Sequence, residues 1–455
     1  MSVASSLFPL FLCYIFGLAG GTLFEIPNGL ILPSLSKNRQ YAFRPWFQTI
    51  KVPSFLGIVL AGVILANMPG HLLSSLDYDV ANSIRLIALI SIIYRIALGL
   101  DTNGLKGRFG SILRLGLFPN IVESIFCAFL SMFFFHLEPM FAFPLGFIAA
   151  GASTAVLVPI LVTLQEGKYG IDKGIPTTLL ASSAVDNILS IMMYNLVSTI
   201  SLSEMSILFE GPSLLILKSI LGLLLGGLIG VLYGNLLSYL GNIDSKALFV
   251  ISYFSSFGLV FSLNFYGFRG AGFLSVVLFV VIASNSWPAK KKKKVSKMAR
   301  KCWDVLRYFL FVLIGVSIQL DQLTLPIVLL SLIIVVVCTL VRMVCCFLSF
   351  PESDRLTNQE KFYAAFTWIS KASLQAALGS AIYYEAKIHN LREDVVKQGV
   401  IISYICVVYI VVTAPIGALL MAWFGPKWLK KHQVVLKGIG EIEKQEEELE
   451  LSRRE

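Results

Sequence analysis

Apolar residues run along the chain in stretches of about 20, separated by short loops that collect most of the charge. A stretch of that length crosses the hydrocarbon of a bilayer as a helix, because backbone polar groups in lipid must be hydrogen-bonded within their own segment. Thirteen spans are predicted, at about 7–24, 53–68, 82–100, 109–134, 143–164, 174–200, 213–236, 247–263, 270–287, 303–320, 326–349, 361–384 and 396–424. The first follows MSVASS, which has no basic n-region, and GGTLFEIPNG is a poor cleavage site, so it reads as a retained helix.

The loops alternate in charge. One side holds Lys37, Arg39, Arg44 and Lys51, then Lys106 and Arg108, Lys168 and Lys173, the block KKKKKVSKMARK at 290–301 and the tail from Lys427; the other holds mainly His71, Asp77, Asp79, Glu138, Glu204, Glu210 and Asp321. The positive-inside rule then puts the N-terminus outside and the C-terminus in the cytoplasm, which agrees with an odd number of crossings. The Lys290–Lys294 loop is expected to attract anionic lipid. Residues 425–455 read as a charged cytoplasmic tail. The composition fits an integral multi-pass protein of the plasma or an organelle membrane: 56% hydrophobic, 14% charged, mean hydropathy +0.79. The net charge of +10 belongs to these loops, so no nucleic acid is expected. Seven cysteines without metal-type spacing read as buried small hydrophobes, and no GxxxxGK[ST] loop, covalent catalytic motif or cofactor is indicated. A transporter driven by ion gradients, and not an enzyme, is the class left.

ALGLDTNGLK at the end of the third span and GVSIQLDQLTL at the end of the tenth mark equivalent points of two repeats, spans 1–6 and 8–13. The single crossing between them inverts the second half, the arrangement of secondary transporters whose substrate site lies near the midplane. Glu123 lies 22 residues beyond Asp101 and Arg342 lies 21 beyond Asp321, so the two fall at similar depth. An uncompensated charge there costs about 2.5–3.5 kcal/mol, and a Glu123–Arg342 ion pair is predicted. Gly222, Gly226, Gly230 and Gly234 give span 7 a smooth face for close helix approach.

Mid-membrane chemistry concentrates in three places. Span 5 carries GASTAVLVP and span 12 carries WISKASLQAALGS, runs of small and hydroxyl residues where a helix can break and turn backbone groups into a polar cavity. Span 6 carries ASSAVDNILSIMMYN, with Asp186 beside Asn187. Lys371 lies too far from either end of span 12 to reach water, so it needs an anion, and Asp186 is the expected partner. Asp186, Asn187, Ser153, Thr154 and freed carbonyls together offer hard oxygen ligands for Na+ or Li+, with Asp186 as the metal-binding carboxylate. Cation, proton and lysine then compete for one acid.

Through VPSFLGIVLAGVILANMP, IALGLD, PNIVES, STAVLVP, LQEGKYGIDKGIPTTLLASSAVDNILSI, WISKASLQAALGS and TAPIGALLMAWFGP, the chain resembles the cation/proton antiporter superfamily, specifically subfamily B of the solute carrier 9 sodium/hydrogen exchangers. The resemblance implies an all-α polytopic fold of about 13 transmembrane helices with inverted repeats, a homodimer, and a six-helix core containing two crossed, broken helices. It places the dimer domain at about 1–100 and 247–320, the core at about 109–200 and 326–424, and a linker helix at about 213–236. Glu123, Arg342 and Lys371 match its membrane-buried charged positions and serve as charge-compensating groups. It implies alternating-access exchange of Na+ or Li+ for H+. The sequence departs from the family at Asn187: the family's second residue of this pair is an acid, and here the acid, Asp186, comes first. Two alternatives therefore stand beside antiport: proton-coupled movement of an anion such as chloride, with Lys371 and Arg342 as counter-charges, and a transport-inactive membrane scaffold.

Overall fold

The computed structural model describes residues 9–19, 54–68, 77–100, 108–203, 212–240, 243–268, 270–316, 324–350, 355–388 and 391–431. Among these, all extended regular structure is helical. In chain order the helices are α1 (Pro9–Ala19), α2 (Ser54–Asn67), α3 (Tyr78–Gly99), α4 (Phe109–Phe135), α5 (Pro139–Ala150), α6 (Thr154–Glu166), α7 (Ile175–Ser203) and α8 (Pro212–Tyr239). They continue with α9 (Ser245–Phe265), α10 (Ala271–Ser286), α11 (Ala289–Val316), α12 (Leu325–Leu348), α13 (Asn358–Thr367), α14 (Ser373–Leu378), α15 (Ala381–Ile388) and α16 (Glu393–Trp428). Among the described residues, eight spans are long and apolar enough to cross a bilayer, the α5–α6 pair counting as one. The protein is an all-helical, multi-pass membrane protein. Asp101 and Asp321 of the proposed repeat, the first basic loop and the tail beyond Lys431 lie outside the described residues, and the predicted tail boundary at 425 shifts because Gly425–Trp428 complete α16 and Lys430 O accepts from Gly170 N at 2.8 Å.

Outer helices are amphipathic in the membrane sense, with the apolar stripe turned outward. On α4, Phe118, Ile121, Ile125, Phe129 and Phe133 are exposed at three- and four-residue intervals, while Asn120, Glu123, Ser124, Cys127 and Ser131 are buried. Helix α12 repeats the pattern, with Leu329, Ile333, Val336, Leu340 and Val344 outside and Ser331, Cys338 and Arg342 inside. In water such helices would turn the other way. Lipid solvates the phenylalanine and leucine faces, and the few polar side chains are left to find each other.

Two groups of helices pack side by side. Helices α4 to α7 and α12 to α16 form one; α2, α3, α9, α10 and α11 form the other, with α8 laid along α10. The groups meet where α3 touches α7, α14 and α15, and where α10 touches α7. The glycine face of α8 makes the α10 contact: a Cβ on Gly230 would stand 2.7 Å from the Ser275 carbonyl oxygen, and one on Gly234 would stand 2.9 Å from Phe279 Cα. Backbone approach of this kind replaces the hydrophobic force that lipid cannot supply between helices.

Two boundaries differ from the sequence reading. The Lys290–Lys294 block is no loop but the first turns of α11, which runs from Ala289 without interruption into the predicted tenth span. Lysine and alanine propagate a helix well, Pro288 stands just before its start, and Val295, Ala299 and Trp303 give it a buried stripe while Lys293, Lys294, Lys297 and Lys301 face outward. Lys292 donates to Leu100 O at the C-terminal end of α3 (3.2 Å), where a cation complements the helix dipole. The twelfth span is in three pieces, α13, α14 and α15, because its small-residue run does not sustain one helix.

The α8–α10 contact is directly testable. Gly230→Ala is expected to destabilise the purified protein by about 1–3 kcal/mol, read as a lower midpoint of thermal unfolding. Gly227→Ala, whose Cβ would meet nothing nearer than Leu278 Cδ1 at 3.7 Å, should leave the midpoint unchanged or slightly raised.

Candidate functional site

The fifth span breaks at Gly151, Ala152 and Ser153, and the twelfth breaks between Trp368 and Ala372. Ser153 N donates to Ser370 O at 2.8 Å, so the two interruptions cross and touch. Each break exposes helix ends in the middle of the protein, where no water is at hand to satisfy them. Side chains do it instead. Gln375 Nε2 donates to Ile148 O (2.7 Å), Ala149 O (3.2 Å) and Gly151 O (2.9 Å), and the Ala150 carbonyl accepts from both Arg342 Nη1 (3.1 Å) and Lys371 Nζ. The negative end of α5 is thereby covered by two cations. At the positive end of α6, Ala152 N donates to Asp186 Oδ2 at 2.8 Å. The charges sit where the two half-helix dipoles call for them.

The predicted ion pair is present: Arg342 Nη1 lies 2.9 Å from Glu123 Oε2. The pairing of Lys371 differs from expectation. Lys371 Nζ bonds the same Glu123 Oε2, at 2.8 Å, and it is Arg342 Nη2 that contacts Asp186 Oδ1. The reason is positional: the ammonium must also reach the Ala150 carbonyl, beside Glu123, whereas the two-pronged guanidinium can span both acids. Asp186, Glu123 and Lys371 are fully buried and Arg342 is 1% exposed. Two acids and two bases form a closed, net-neutral cluster.

Asn120, which sequence reasoning missed, completes it. Its Nδ2 donates to Asp186 Oδ1 (2.9 Å) and Ser190 Oγ (2.8 Å), so both oxygens of Asp186 are engaged. The signal was in the PNIVES run, where Asn120 lies one turn before Glu123 on the inward face of α4. Gln375, also missed, lies one turn after Lys371. Neither residue carries a charge that would have marked it.

The predicted ligands separate into two environments. Ser153 is fully buried at the break, and its Oγ has no hydrogen-bond partner among the described residues. Asn187 is 1% exposed; its Nδ2 returns to Ser183 O at 2.8 Å, and its Oδ1 is likewise unpartnered among the described residues. Thr154 is only partly buried and lines a cavity between the two helix groups instead.

That cavity, about 240 Å³, includes Leu180, Ser183 and Ala184 of α7; a second, about 260 Å³, includes Tyr194, Asn195 and Ser198 of the same helix. At about 100° per residue these six positions fall on one face of α7, and Asn187 falls on it between the two sets. Asp186 is turned away from that face and lines neither cavity. The amide faces the interface between the helix groups, and the carboxylate faces inward to the cluster.

Comparison with known proteins agrees with this architecture. Residues 41–427 match the family described as sodium/hydrogen exchanger, transmembrane. The chain is 33% identical over 433 residues to Sodium/hydrogen exchanger 9B2 of Bison bison bison, covering 94% of this chain and 76% of that protein. It is 30% identical over 436 residues to human Sodium/hydrogen exchanger 9B1, covering 94% and 79% respectively. The fold matches the sodium proton antiporter MjNhaP1 of Methanocaldococcus jannaschii at pH 8 with a TM-score of 0.69 and 16% identity, over 94% of this chain and 99% of the other. Crossed broken helices, a buried charge cluster at their crossing and this extended match together place the chain in the sodium/hydrogen exchanger family.

Proposed function

We propose that the protein exchanges a monovalent cation, Na+ or Li+, for a proton by alternating access, and that the exchange is centred on Asn187 and the adjoining charge cluster. The observation that carries the reading is the closed cluster itself, two acids and two bases paired at the touching ends of two broken helices. A cation entering so dry a place leaves one positive charge too many, at a cost of several kcal/mol per ion. A positive charge must therefore leave. Arg342 keeps its proton under all ordinary conditions. Lys371 is the basic member of the cluster that can give one up, and its departure restores neutrality one for one.

The cation's oxygen ligands come from groups the protein leaves unpaired. Asn187 Oδ1 lies on the α7 face between the two cavities, and Ser153 Oγ stands at the helix break. The carboxylate of Asp186 supplies the negative field behind them once Arg342 shifts its hold toward Glu123. The α4–α7 and α12–α16 group moves against α3, α10 and α11, which opens one cavity and then the other. The lysine-rich end faces the cytoplasm, with anionic lipid around Lys290, Lys293 and Lys294, and the assembly is a homodimer.

Proteoliposomes containing the purified protein, under an imposed pH gradient, should show proton flux driven by sodium or lithium; flux that requires chloride and ignores both cations would reject the reading. Lys371→Arg keeps the positive charge but has no proton to release, so cation-driven proton flux should fall to the level of empty liposomes. Retained flux in that variant would remove Lys371 from the coupling step. Asn187→Asp adds a carboxylate on the cavity-facing side and should raise apparent cation affinity by about tenfold, equivalent to about 1.4 kcal/mol, in the same assay. An unchanged affinity would mean that this face of α7 does not meet the ion.

A further inference from the structure

The two cavities between the helix groups differ in electrostatic character. The larger one contains Arg85 and Glu385 together with the amides of Asn82, Asn195 and Asn264, so its ionised side chains balance. The smaller one, at the lysine-rich end, contains Arg95 and Arg300 and no acidic side chain. Asp304, the acid in electrostatic reach of Arg95, is exposed and lies outside the lining. Arg95 is half-buried with its guanidinium 5.5 Å from the centre of the Trp303 ring, which holds it toward the cavity.

The opposite wall supplies what an anion needs besides positive charge. Thr154 and Ala155 form the first turn of α6 on the cavity wall. The N–H groups around that helix start are largely engaged inside the protein, Ala152 N with Asp186, Ser153 N with Ser370 O and Val156 N with Ser153 O, so what this wall offers the cavity is the Thr154 hydroxyl. The Ser183 hydroxyl lies one wall over on α7, and Ser296 faces it from α11. Two guanidiniums, that of half-buried Arg95 and that of exposed Arg300, and the hydroxyls of Thr154 and Ser296 line about 240 Å³, well beyond the roughly 30 Å³ of one water, while the Ser183 hydroxyl on the same wall donates to Leu180 O. Guanidinium forks are the usual partners of tetrahedral oxyanions. A vestibule meant only for a cation would not be lined this way.

We propose that this cavity is a binding site for a phosphate-type oxyanion, supplied either by a soluble polyphosphate or by a phosphorylated lipid headgroup, and that the bound anion bridges the two helix groups. Arg95, Ser296 and Arg300 belong to α3 and α11, Thr154 and Ser183 to α6 and α7, so one ligand holds both sides at once. Because the sides belong to different groups, occupancy fixes their separation and slows any movement of one past the other. This last consequence for exchange rests on the antiport reading; the binding does not.

Binding is tested on the purified full-length protein by calorimetric titration with pyrophosphate, and separately in nanodiscs containing a phosphatidylinositol phosphate against discs containing phosphatidylserine. Saturable binding of pyrophosphate identifies the soluble source, and stabilisation by the phosphoinositide alone identifies the lipid source. In whichever arm binds, Arg300→Gln on one wall and Thr154→Val on the other should each weaken affinity, the arginine change by roughly tenfold or more. Lys293→Gln and Lys294→Gln, on the exposed face of α11, should change it little. No saturable binding in either arm overturns the site, and so does an equal loss from the lysine changes, which would reduce it to diffuse attraction. Loss with Arg300→Gln but not with Thr154→Val overturns the bridge. In proteoliposomes the anion should slow cation-driven flux several-fold; faster or unaltered flux with intact binding also overturns the bridge, while absence of all flux counts against antiport and leaves the binding result standing.

Discussion

Everything in the core depends on balancing two acids against two bases in a place closed to solvent. Glu123, Asp186, Arg342 and Lys371 lie at the one place where two helices are interrupted and touch. Any of them alone would cost several kcal/mol in such a medium, and removing one partner from such a group typically costs 3–5 kcal/mol. Together they balance, and the carbonyls and N–H groups freed by the breaks supply the remaining hydrogen bonds. The interruptions need the charges as much as the charges need the interruptions: without Gln375, Arg342 and Lys371, the last carbonyls of α5 would be unsatisfied.

This mutual dependence shapes how the protein can work. A site that is neutral when empty accepts a cation only in exchange for another positive charge, which makes coupling a consequence of dielectric environment. The arginine fixes the cluster and the lysine can change it. Of the adjacent pair on α7, Asn187 lies on the helix face between the two cavities and Asp186 turns inward to Arg342.

The helix groups carry this chemistry through different surfaces. The α4 and α12 helices turn phenylalanine, leucine and valine outward and their polar residues toward the cluster, so the lipid-facing surface is uniform while the interior is specific. The interface between the groups holds two cavities, one charge-balanced and one basic, on the same face of α7 on either side of Asn187.

Much of this was legible along the chain. Hydrocarbon admits only helices of sufficient length, so apolar run length located the spans, and the small-residue runs at 151–154 and 368–380 located the breaks. Buried charge is rare enough that Glu123, Asp186, Arg342 and Lys371 stood out by type alone, and similar depth in two repeats paired Glu123 with Arg342. Tertiary structure decided the rest. That Lys371 turns to Glu123 and Asp186 to Arg342 depends on where the α5 carbonyls end, a matter of angstroms that linear spacing does not encode. The lysine block continues a helix because α11 finds α2, α3 and α9 to pack on. Asn120 and Gln375 are uncharged, so only their proximity to the crossing reveals them. Solvent exclusion acts on each residue in turn and is written in composition; partner choice acts between residues distant in the chain and is written only in space.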